Sequence, residues 1–254
     1  MSSPIRIAMW SGPRCRSTAL LRAWESRADT AVVDEPLYAA YLDATGLDHP
    51  ARDAILASQP TRWRTVAEAL TGPVPGDAEI WYQKHMAHHL LAHVGRDWLD
   101  DPSFRHAFLI RDPASLIVSL DKVWPDPSLA DTGLPQQVEL FERARQRGET
   151  PPVVDADDLL RDPEGTLRAL CSALGIAFDP SMLAWSHGPR DSDGVWAAHW
   201  YASVWASAGF GTPREPAPAE VPDRLAPLVK QARPLYEGLA QASLTAAGRP
   251  RTAD

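Results

Sequence analysis

The sequence predicts an α/β fold in which a mainly parallel sheet of about five strands is flanked by helices. Short runs of β-type residues alternate with helical patterns through the first two thirds of the chain, and this alternation is typical of βαβ units. The 254 residues suffice for one domain with a substantial core. Hydrophobic residues (44%) and charged residues (23%) occur in the proportions of a globular protein, which excludes a disordered or fibrous chain.

Five short segments have the composition of strands. In chain order they are residues 5–10, 31–34, 79–84, 106–110 and 152–155. Ligands of open parallel sheets bind beyond the carboxyl ends of the strands. The residues that follow these five segments are therefore the first candidates for a functional site.

Helical patterns occupy the gaps between the predicted strands. Ser17 is expected to cap a helix that reaches Arg27, and Pro113 suits the first turn of a helix towards Trp124. Residues 86–95 are also predicted to be helical. Later in the chain, Asp162 and Pro163 begin a helix that ends at Gly175 and carries one apolar stripe: Leu167, Leu170, Cys171 and Leu174.

The chain is predicted to form a single domain, residues 1–254. Its core is expected within about 5–210, and a proline-rich connector is expected over 211–222. A C-terminal helix over about 223–244 and a flexible tail over 248–254 complete the prediction.

Charge and cysteine content narrow the range of functions. The formal net charge is −8, so a broad basic surface for nucleic acid is not expected, although a local cluster could bind one small polyanion. The two cysteines, Cys15 and Cys171, imply no disulfide framework. The first residues form no long apolar segment and no run of about 18 apolar residues occurs, so neither a secretory signal nor a membrane-spanning helix is expected. We therefore expect a cytoplasmic enzyme or binding protein without a membrane partner.

The loop after the first predicted strand has the composition of an anion site. Hydroxyl groups, guanidinium groups and free amides at a helix start are the donors that bind phosphate or sulfate. The alternative is that Ser17 only caps the helix while both arginines are solvated. The loop comprises Ser11, Gly12, Pro13, Arg14, Cys15, Arg16, Ser17 and Thr18.

Three known phosphate motifs do not match this loop. A Walker loop counted from Gly12 requires Gly, Lys and Ser or Thr at positions 17–19, and all three positions hold other residues. A dinucleotide fingerprint fails as well, because position 14 is Arg. A phosphatase loop that starts at Cys15 requires Arg at position 21, which is Leu21. A low-pKa thiolate at Cys15, beside two arginines, remains an open alternative.

A second motif follows the fourth predicted strand. Arg111 is followed by Asp112 and Pro113, and Ser119 lies eight residues after Arg111. This spacing lets a guanidinium at a strand tip and a hydroxyl on the next helix converge on one dianion. The alternative is a surface pair of Arg111 with Asp112 and a buried serine.

In this order, the two motifs resemble those of sulfotransferases that use 3′-phosphoadenosine 5′-phosphosulfate (PAPS). The first is similar to their 5′-phosphosulfate loop, although Cys15 and Arg16 stand where small residues are common, and the second to their 3′-phosphate site. Residues 158–178 also look like a late helix of the family, so the resemblance covers roughly 5–210. It implies a P-loop-like three-layer sandwich and these donor-binding residues: Gly12, Pro13, Arg14, Cys15, Arg16, Ser17, Thr18, Arg111 and Ser119.

The resemblance also implies a reaction, in which a sulfonyl group passes from PAPS to a hydroxyl or amine of a small molecule by in-line displacement. The product is 3′-phosphoadenosine 5′-phosphate (PAP), and no metal is expected. Glu35, after the second strand, is the expected general base, with His85 as the alternative. Lys84 is expected to contact the bridging oxygen or the sulfonate. A homodimer is left open.

Other interpretations remain beside this one. Histidines 85, 89 and 93 have helical spacing and His88 is adjacent, which raises a metal site. The aromatic segment 194–210 is either core or a wall for a ring-bearing acceptor. Arg190 and the turn at 207–209 could close over the donor, although the family's late Arg-Lys-Gly signature is absent. Rival functions are a phosphotransferase, a nucleotide hydrolase and a non-catalytic nucleotide-binding module.

Overall fold

The computed structural model describes residues 4–212, 215 and 217–244. Part of the expected connector and the expected tail, 248–254, lie outside these residues, and the single domain stays a prediction. Within the described residues, one sheet of five parallel strands has the order β2-β3-β1-β4-β5, which confirms the predicted fold class. The strands are β1 Ile5–Ser11, β2 Thr30–Asp34, β3 Ile80–Met86, β4 Phe104–Ile110 and β5 Val153–Asp155.

Strand β1 lies at the centre of the sheet. Its Ser11 pairs with Met86 of β3 on one side and with Leu109 of β4 on the other. On the outer side of β3, Lys84 is opposite Asp34 of β2. The carboxyl ends of these four strands therefore lie at one edge of the sheet. The two anion motifs begin at this edge, after β1 and β4.

The helices flank the sheet and cover its apolar faces. The central side chains Ile7, Met9 and Phe108 are fully buried. No helix in the described ranges is long and apolar enough to cross a membrane. The helices are α1 Ser17–Glu25, α2 Tyr38–Thr45, α3 Arg52–Ser58, α4 Trp63–Thr71, α5 Pro113–Asp121, α6 Leu134–Gln146, α7 Ala156–Arg161, α8 Pro163–Ala173, α9 Ala197–Trp200, α10 Ala202–Trp205 and α11 Ala226–Ala240.

Aspartates cap α5 and α8, two helices whose first residue is a proline. Asp112 accepts from the backbone amide of Ser115 (3.0 Å) at α5, and Asp162 accepts from that of Gly165 (2.9 Å) at α8. The predicted cap at Ser17 is wrong, because Ser17 is the first residue of α1. Arg16 occupies the cap position with a φ of 65°, and its side chain makes no capping bond.

The predicted helix over 86–95 is also wrong. Met86 is the last residue of β3, and only a single 3₁₀ turn, Ala87–His89, follows it. The guanidinium of Arg96 donates to the backbone carbonyls of Leu90 (3.2 Å) and Leu91 (3.0 Å). A side chain therefore satisfies carbonyls that helical amides would otherwise bind, and the segment stays irregular.

Candidate active site

A cavity of about 690 Å³ opens at the carboxyl edge of the sheet. Its volume is in the range of small-molecule sites. Most of the sequence-predicted site residues line it, whereas Gly12, Cys15 and His85 do not. The predicted residues that line the cavity are Pro13, Arg14, Arg16, Ser17, Thr18, Glu35, Lys84, Arg111 and Ser119.

The loop between β1 and α1 has a strained backbone. Arg14 and Arg16 have φ values of 62° and 65°, in the left-handed region that costs a non-glycine residue about 1–2 kcal/mol. Such strain is concentrated at ligand sites. The loop leads into the start of α1, where the hydroxyl residues Ser17 and Thr18 line the cavity. This combination of a helix start, hydroxyls and guanidiniums suits an anion.

Gly12 anchors the loop instead of lining the cavity. A Cβ atom at this position would lie 2.2 Å from the carbonyl oxygen of Thr132, so no larger residue fits without a shift of backbone. Beneath the loop lies the fully buried Gln137. With its amide oriented to satisfy both neighbours, Gln137 accepts from the Gly12 amide (3.2 Å) and donates to the Leu109 carbonyl (3.3 Å).

Cys15 is a buried, neutral thiol. Its side chain is fully buried, and its Sγ lies 3.6 Å from the carbonyl oxygen of Pro13. Burial raises the pKa of Cys15 to about 12, although the charge of Arg111 acts in the opposite direction. The low-pKa thiolate is therefore a wrong alternative, because desolvation outweighs the nearby cation.

Hydrogen bonds join the two anion motifs. Arg111 Nη1 donates to the backbone carbonyl of Arg14 (2.8 Å), and Arg14 Nε donates to Ser119 Oγ (3.1 Å). Asp112 instead pairs with Arg233 (2.6 Å), so the alternative surface pair of Arg111 with Asp112 is wrong. Among the described residues, the buried Nε of Arg111 has no hydrogen-bond partner.

Positive charge accumulates where the two motifs meet. Burial and the charge of Arg111 both lower the pKa of Arg14. Asp157 is close enough for the charges of Arg111 and Arg16 to lower its pKa, although burial raises the pKa overall. A bound dianion would relieve the repulsion between Arg14 and Arg111.

A second polar cluster lies at the ends of β2 and β3. The fully buried Lys84 uses its three donors on Asp34 Oδ1, Glu35 Oε1 and Tyr201 Oη, each at 2.7 Å. The Tyr201 hydroxyl also lies 2.6 Å from Asp34 Oδ2 and accepts from Trp196 Nε1 at 3.1 Å. Attraction to both carboxylates raises the pKa of Lys84 to about 12 in spite of its burial.

Glu35 combines a strained backbone with a carboxylate at the cavity. Its φ is 44°, and its backbone carbonyl accepts from Gln59 Nε2 (3.2 Å) and from the Tyr38 amide (3.0 Å). Burial raises the pKa of Glu35, and the nearby Lys84 partly offsets this rise. The carboxyl group is thus close to a buried ammonium and open to the cavity, which are properties of a general base.

His85 lies away from the cavity. The alternation of side chains along β3 turns it from Lys84 to the other face of the sheet, where its ring stacks on Trp10 at 4.2 Å and bonds Gln83 Oε1 at 3.2 Å. Burial lowers the pKa of His85 to about 3. The structure therefore does not bring His85 together with Glu35 and the anion loop.

Aromatic rings form one wall of the cavity, which we call the ring wall: Tyr38, His49, His88, His89 and Trp124. Tyr38 stacks on His89 at 4.8 Å, and His49 meets Trp124 edge-on at 4.6 Å. Burial lowers the pKa values of all three histidines, that of His88 to about 4. Within the described ranges, no group of three or more His, Cys, Asp or Glu side chains is arranged to hold a metal ion.

The late aromatic segment forms short helices over the cavity. Trp200, Tyr201, Ser207 and Gly209 line the cavity. Arg190 does not line it, and its backbone amide bonds Asp193 Oδ2 (2.9 Å). The sequence interpretation assigned no role to Asp34 or Tyr201. Asp34 stands beside Glu35 after a strand, whereas the sequence carries no signal that Tyr201 meets Lys84, which is 117 positions away.

Comparison with known proteins finds similarity over most of the chain. The family model described as a sulfotransferase domain matches residues 5–243. Two Arabidopsis thaliana proteins, branched-chain-amino-acid aminotransferase-like proteins 1 and 2, are 40% and 37% identical over 93% and 91% of this chain. The chain spans only 42% and 40% of their lengths.

A solved structure supports the fold independently. The sulfotransferase domain from the curacin biosynthetic pathway superposes with a TM-score of 0.51 at 15% identity, over 91% of this chain and 99% of that domain. Similarity at this level of identity concerns the fold alone. The family model, in contrast, matches the sequence from β1 through the last described helix, and the chain therefore belongs to the sulfotransferase domain family.

Proposed function

We propose that the chain transfers a sulfonyl group from PAPS to a hydroxyl or amine of a small molecule. The observation that carries this proposal is one cavity that joins two kinds of chemistry. One side holds the linked cationic residues Arg14 and Arg111, and the other holds the carboxylate of Glu35 beside the ammonium of Lys84. In-line transfer requires this pairing of an anion site with a base.

The residues on the cationic side fit the two ends of the donor. Arg14, Ser17 and Thr18 would hold the 5′-phosphosulfate at the start of α1. Arg111 and Ser119 would hold the 3′-phosphate, and the buried Arg111 Nε without a partner supports this assignment. PAPS supplies the sulfonyl group on a phosphate leaving group when it is bound.

Glu35 and Lys84 would carry the proton and charge steps. Glu35 accepts the proton of the acceptor while the new bond to sulfur forms and the sulfur–oxygen bond to the 5′-phosphate breaks. The electron pair of the broken bond leaves with the phosphate of PAP, where the ammonium of Lys84 stabilises the developing negative charge. No group besides the donor, the acceptor and these side chains is needed to balance the step.

The acceptor would contact the ring wall. The wall offers flat faces, and its histidines are neutral near pH 7 because burial lowers their pKa values. Flat, uncharged surfaces favour a ring-bearing, uncharged acceptor over a charged one. Trp200 and Tyr201 lie on the same cavity and extend the aromatic surface.

The three rival functions require different residues. A phosphotransferase or nucleotide hydrolase would use a lysine in the anion loop, and residues 11–18 contain none. A binding module without turnover would keep the anion site and have no use for a strained Glu35 at the cavity. The strained carboxylate thus supports an enzyme.

The experiment has a binding arm and a turnover arm. PAP should raise the melting temperature more than ATP does, because a ligand that binds only the native state stabilises it by mass action. PAPS labelled in the sulfonyl group should transfer its label to a phenol or aryl amine from a mixed panel. Equal shifts with PAP and ATP would contradict the donor assignment. A PAP-specific shift without consumption of PAPS across the panel would favour the binding module.

A further inference from the structure

The bonding around Lys84 is unequal on its two carboxylates. Both oxygens of Asp34 are engaged, Oδ1 by Lys84 and Oδ2 by the Tyr201 hydroxyl. Glu35 is bonded to Lys84 through Oε1 alone, while its contact with Tyr201 is long, at 3.4 Å. The Asp34 side chain is 1% exposed and that of Glu35 is 12% exposed. Asp34 is therefore the enclosed counter-ion, and Glu35 is the partner that faces the cavity.

The Tyr201 hydroxyl has one proton and can donate it to only one of the two carboxylates. It points to Asp34 Oδ2 at 2.6 Å and not to the more distant Glu35. The same oxygen accepts from Lys84 and from Trp196 Nε1, which uses both of its lone pairs. Burial and the two carboxylates raise the pKa of Tyr201 well above its usual value, so the hydroxyl keeps its proton.

We propose that Tyr201 and Asp34 are positioning residues that clamp the ammonium of Lys84. When an anion enters the cavity, Lys84 then releases only its hydrogen bond to Glu35 and keeps those to Asp34 and Tyr201. This inference rests on the proposed function. An ammonium has three donors, and Lys84 spends all three inside the protein. It reaches a sulfonate oxygen only by releasing one of them. Loss of the Asp34 bond would leave a buried carboxylate short of a partner, which is costly.

Release of Glu35 prepares it to accept a proton. The carboxylate exchanges its bond to Lys84 for the hydroxyl or amine proton of the acceptor, and Lys84 exchanges its bond to Glu35 for a sulfonate oxygen. The count of charges and protons in the cluster does not change until Glu35 takes the proton of the acceptor. Entry of the donor is thereby coupled to the availability of the base.

The test uses Tyr201→Phe, which removes the hydroxyl and keeps the ring. Tyr82→Phe is the matched control, because the Tyr82 hydroxyl is buried without a hydrogen-bond partner among the described residues and does not line the cavity. The titratable groups around Glu35 are Asp34, Lys84, Tyr38 and Tyr201. Without the Tyr201 hydroxyl, Glu35 loses a weak donor and faces a less well compensated Asp34, so its pKa should rise.

Two readouts report on the clamp. In the protein alone, the carboxyl carbon of Glu35 is titrated by NMR and assigned from its absence in Glu35→Gln. Its midpoint should move to higher pH in Tyr201→Phe and stay in place in Tyr82→Phe. With PAPS and an acceptor, Tyr201→Phe should lower kcat by about 10- to 100-fold, as for a misplaced catalytic group. The acid limb of its pH profile should move in the same direction, and PAP affinity should be unchanged.

The outcomes separate the two proposals. A Glu35 midpoint that stays in place in Tyr201→Phe, or that moves equally in Tyr82→Phe, overturns the clamp whether or not the protein turns over PAPS. A midpoint that moves as expected in a protein that never consumes PAPS supports the clamp and contradicts the proposed function. A fall in kcat with an unchanged acid limb shows a structural role for Tyr201 and also overturns the clamp.

Discussion

Arg111 donates a hydrogen bond to the backbone carbonyl of Arg14 at 2.8 Å. This bond ties the strand tip that would hold the 3′-phosphate to the loop that would hold the 5′ end. The resemblance to PAPS-dependent sulfotransferases implied one site for each end of the donor, with Arg111 in the 3′-phosphate site. In the structure, Arg111 also supports the strained conformation of Arg14.

Arg111→Ala should therefore weaken the binding of two nucleotides to different extents. Loss of charge-assisted bonds to the 3′-phosphate should weaken PAP binding by about 10- to 150-fold. Adenosine 5′-phosphosulfate lacks the 3′-phosphate, so its affinity should fall only about 3- to 10-fold, because Arg111 no longer supports the loop that binds the 5′ end. Titration calorimetry measures both affinities. Equal losses would show that Arg111 acts only by supporting the loop.

Glu35→Gln should separate chemistry from binding. The amide keeps the shape of the side chain and cannot take a proton, so sulfonyl transfer should fall by about 100- to 10,000-fold. Affinity for PAP should change little, since the anion site is formed by other residues. His85→Asn is the matched comparison and should lower the rate far less, because His85 lies off the cavity against Trp10. The opposite ranking in steady-state kinetics would move the base to His85.

Gly12→Ala should destabilise the fold. The added Cβ would lie 2.2 Å from a backbone oxygen of Thr132, and overpacking of this kind costs about 1–3 kcal/mol. Gly238→Ala in α11 is the control, because its Cβ would meet no atom within 4 Å, and it should stabilise by about 0.5–1 kcal/mol. Urea unfolding curves give both values. A neutral Gly12→Ala would show that the loop can move away from Thr132.

Acid should destabilise the protein through its buried histidines. Burial lowers the pKa of His88 to about 4, whereas the unfolded chain titrates near its usual value of about 6.5. Between these values the unfolded state binds one proton more, so the free energy of unfolding falls as the pH falls. His88→Asn should reduce the slope by up to about 1.4 kcal/mol per pH unit. If the free energy of unfolding has the same pH slope in the unmodified protein and in His88→Asn from pH 6.5 to 4.5, His88 is not neutral in the folded state.

The sequence predicted the sheet well because strand signals are local. The starts and ends of all five strands differ by at most two residues from the prediction. The failure after β3 has a cause outside the predicted segment, since Arg96 binds the carbonyls of Leu90 and Leu91. The helical pattern of residues 86–95 gives no indication of that contact.

The candidate site was predictable to the extent that its residues follow strands. Arg14, Glu35, Lys84 and Arg111 all lie at the carboxyl edge and reach one cavity. The contact between Lys84 and Tyr201 was not predictable, because it joins β3 to the junction of α9 and α10, which only tertiary packing brings near. The thiolate alternative at Cys15 failed for a related reason, since the burial that raises the pKa of Cys15 depends on packing that the loop sequence does not show.

The strand order β2-β3-β1-β4-β5 has a consequence for how this protein could diversify. Residues proposed to recognise the nucleotide follow β1 and β4. Glu35 and four residues of the ring wall, Tyr38, His49, His88 and His89, follow β2 or β3. Apart from Trp124, Trp200 and Tyr201, which follow β4 or β5, the two groups fall on opposite halves of the sheet. Exchange of the segments after β2 and β3 would change the choice of acceptor and leave the residues proposed to bind the nucleotide in place. The acceptor specificity could thus be redesigned without redesign of the nucleotide site.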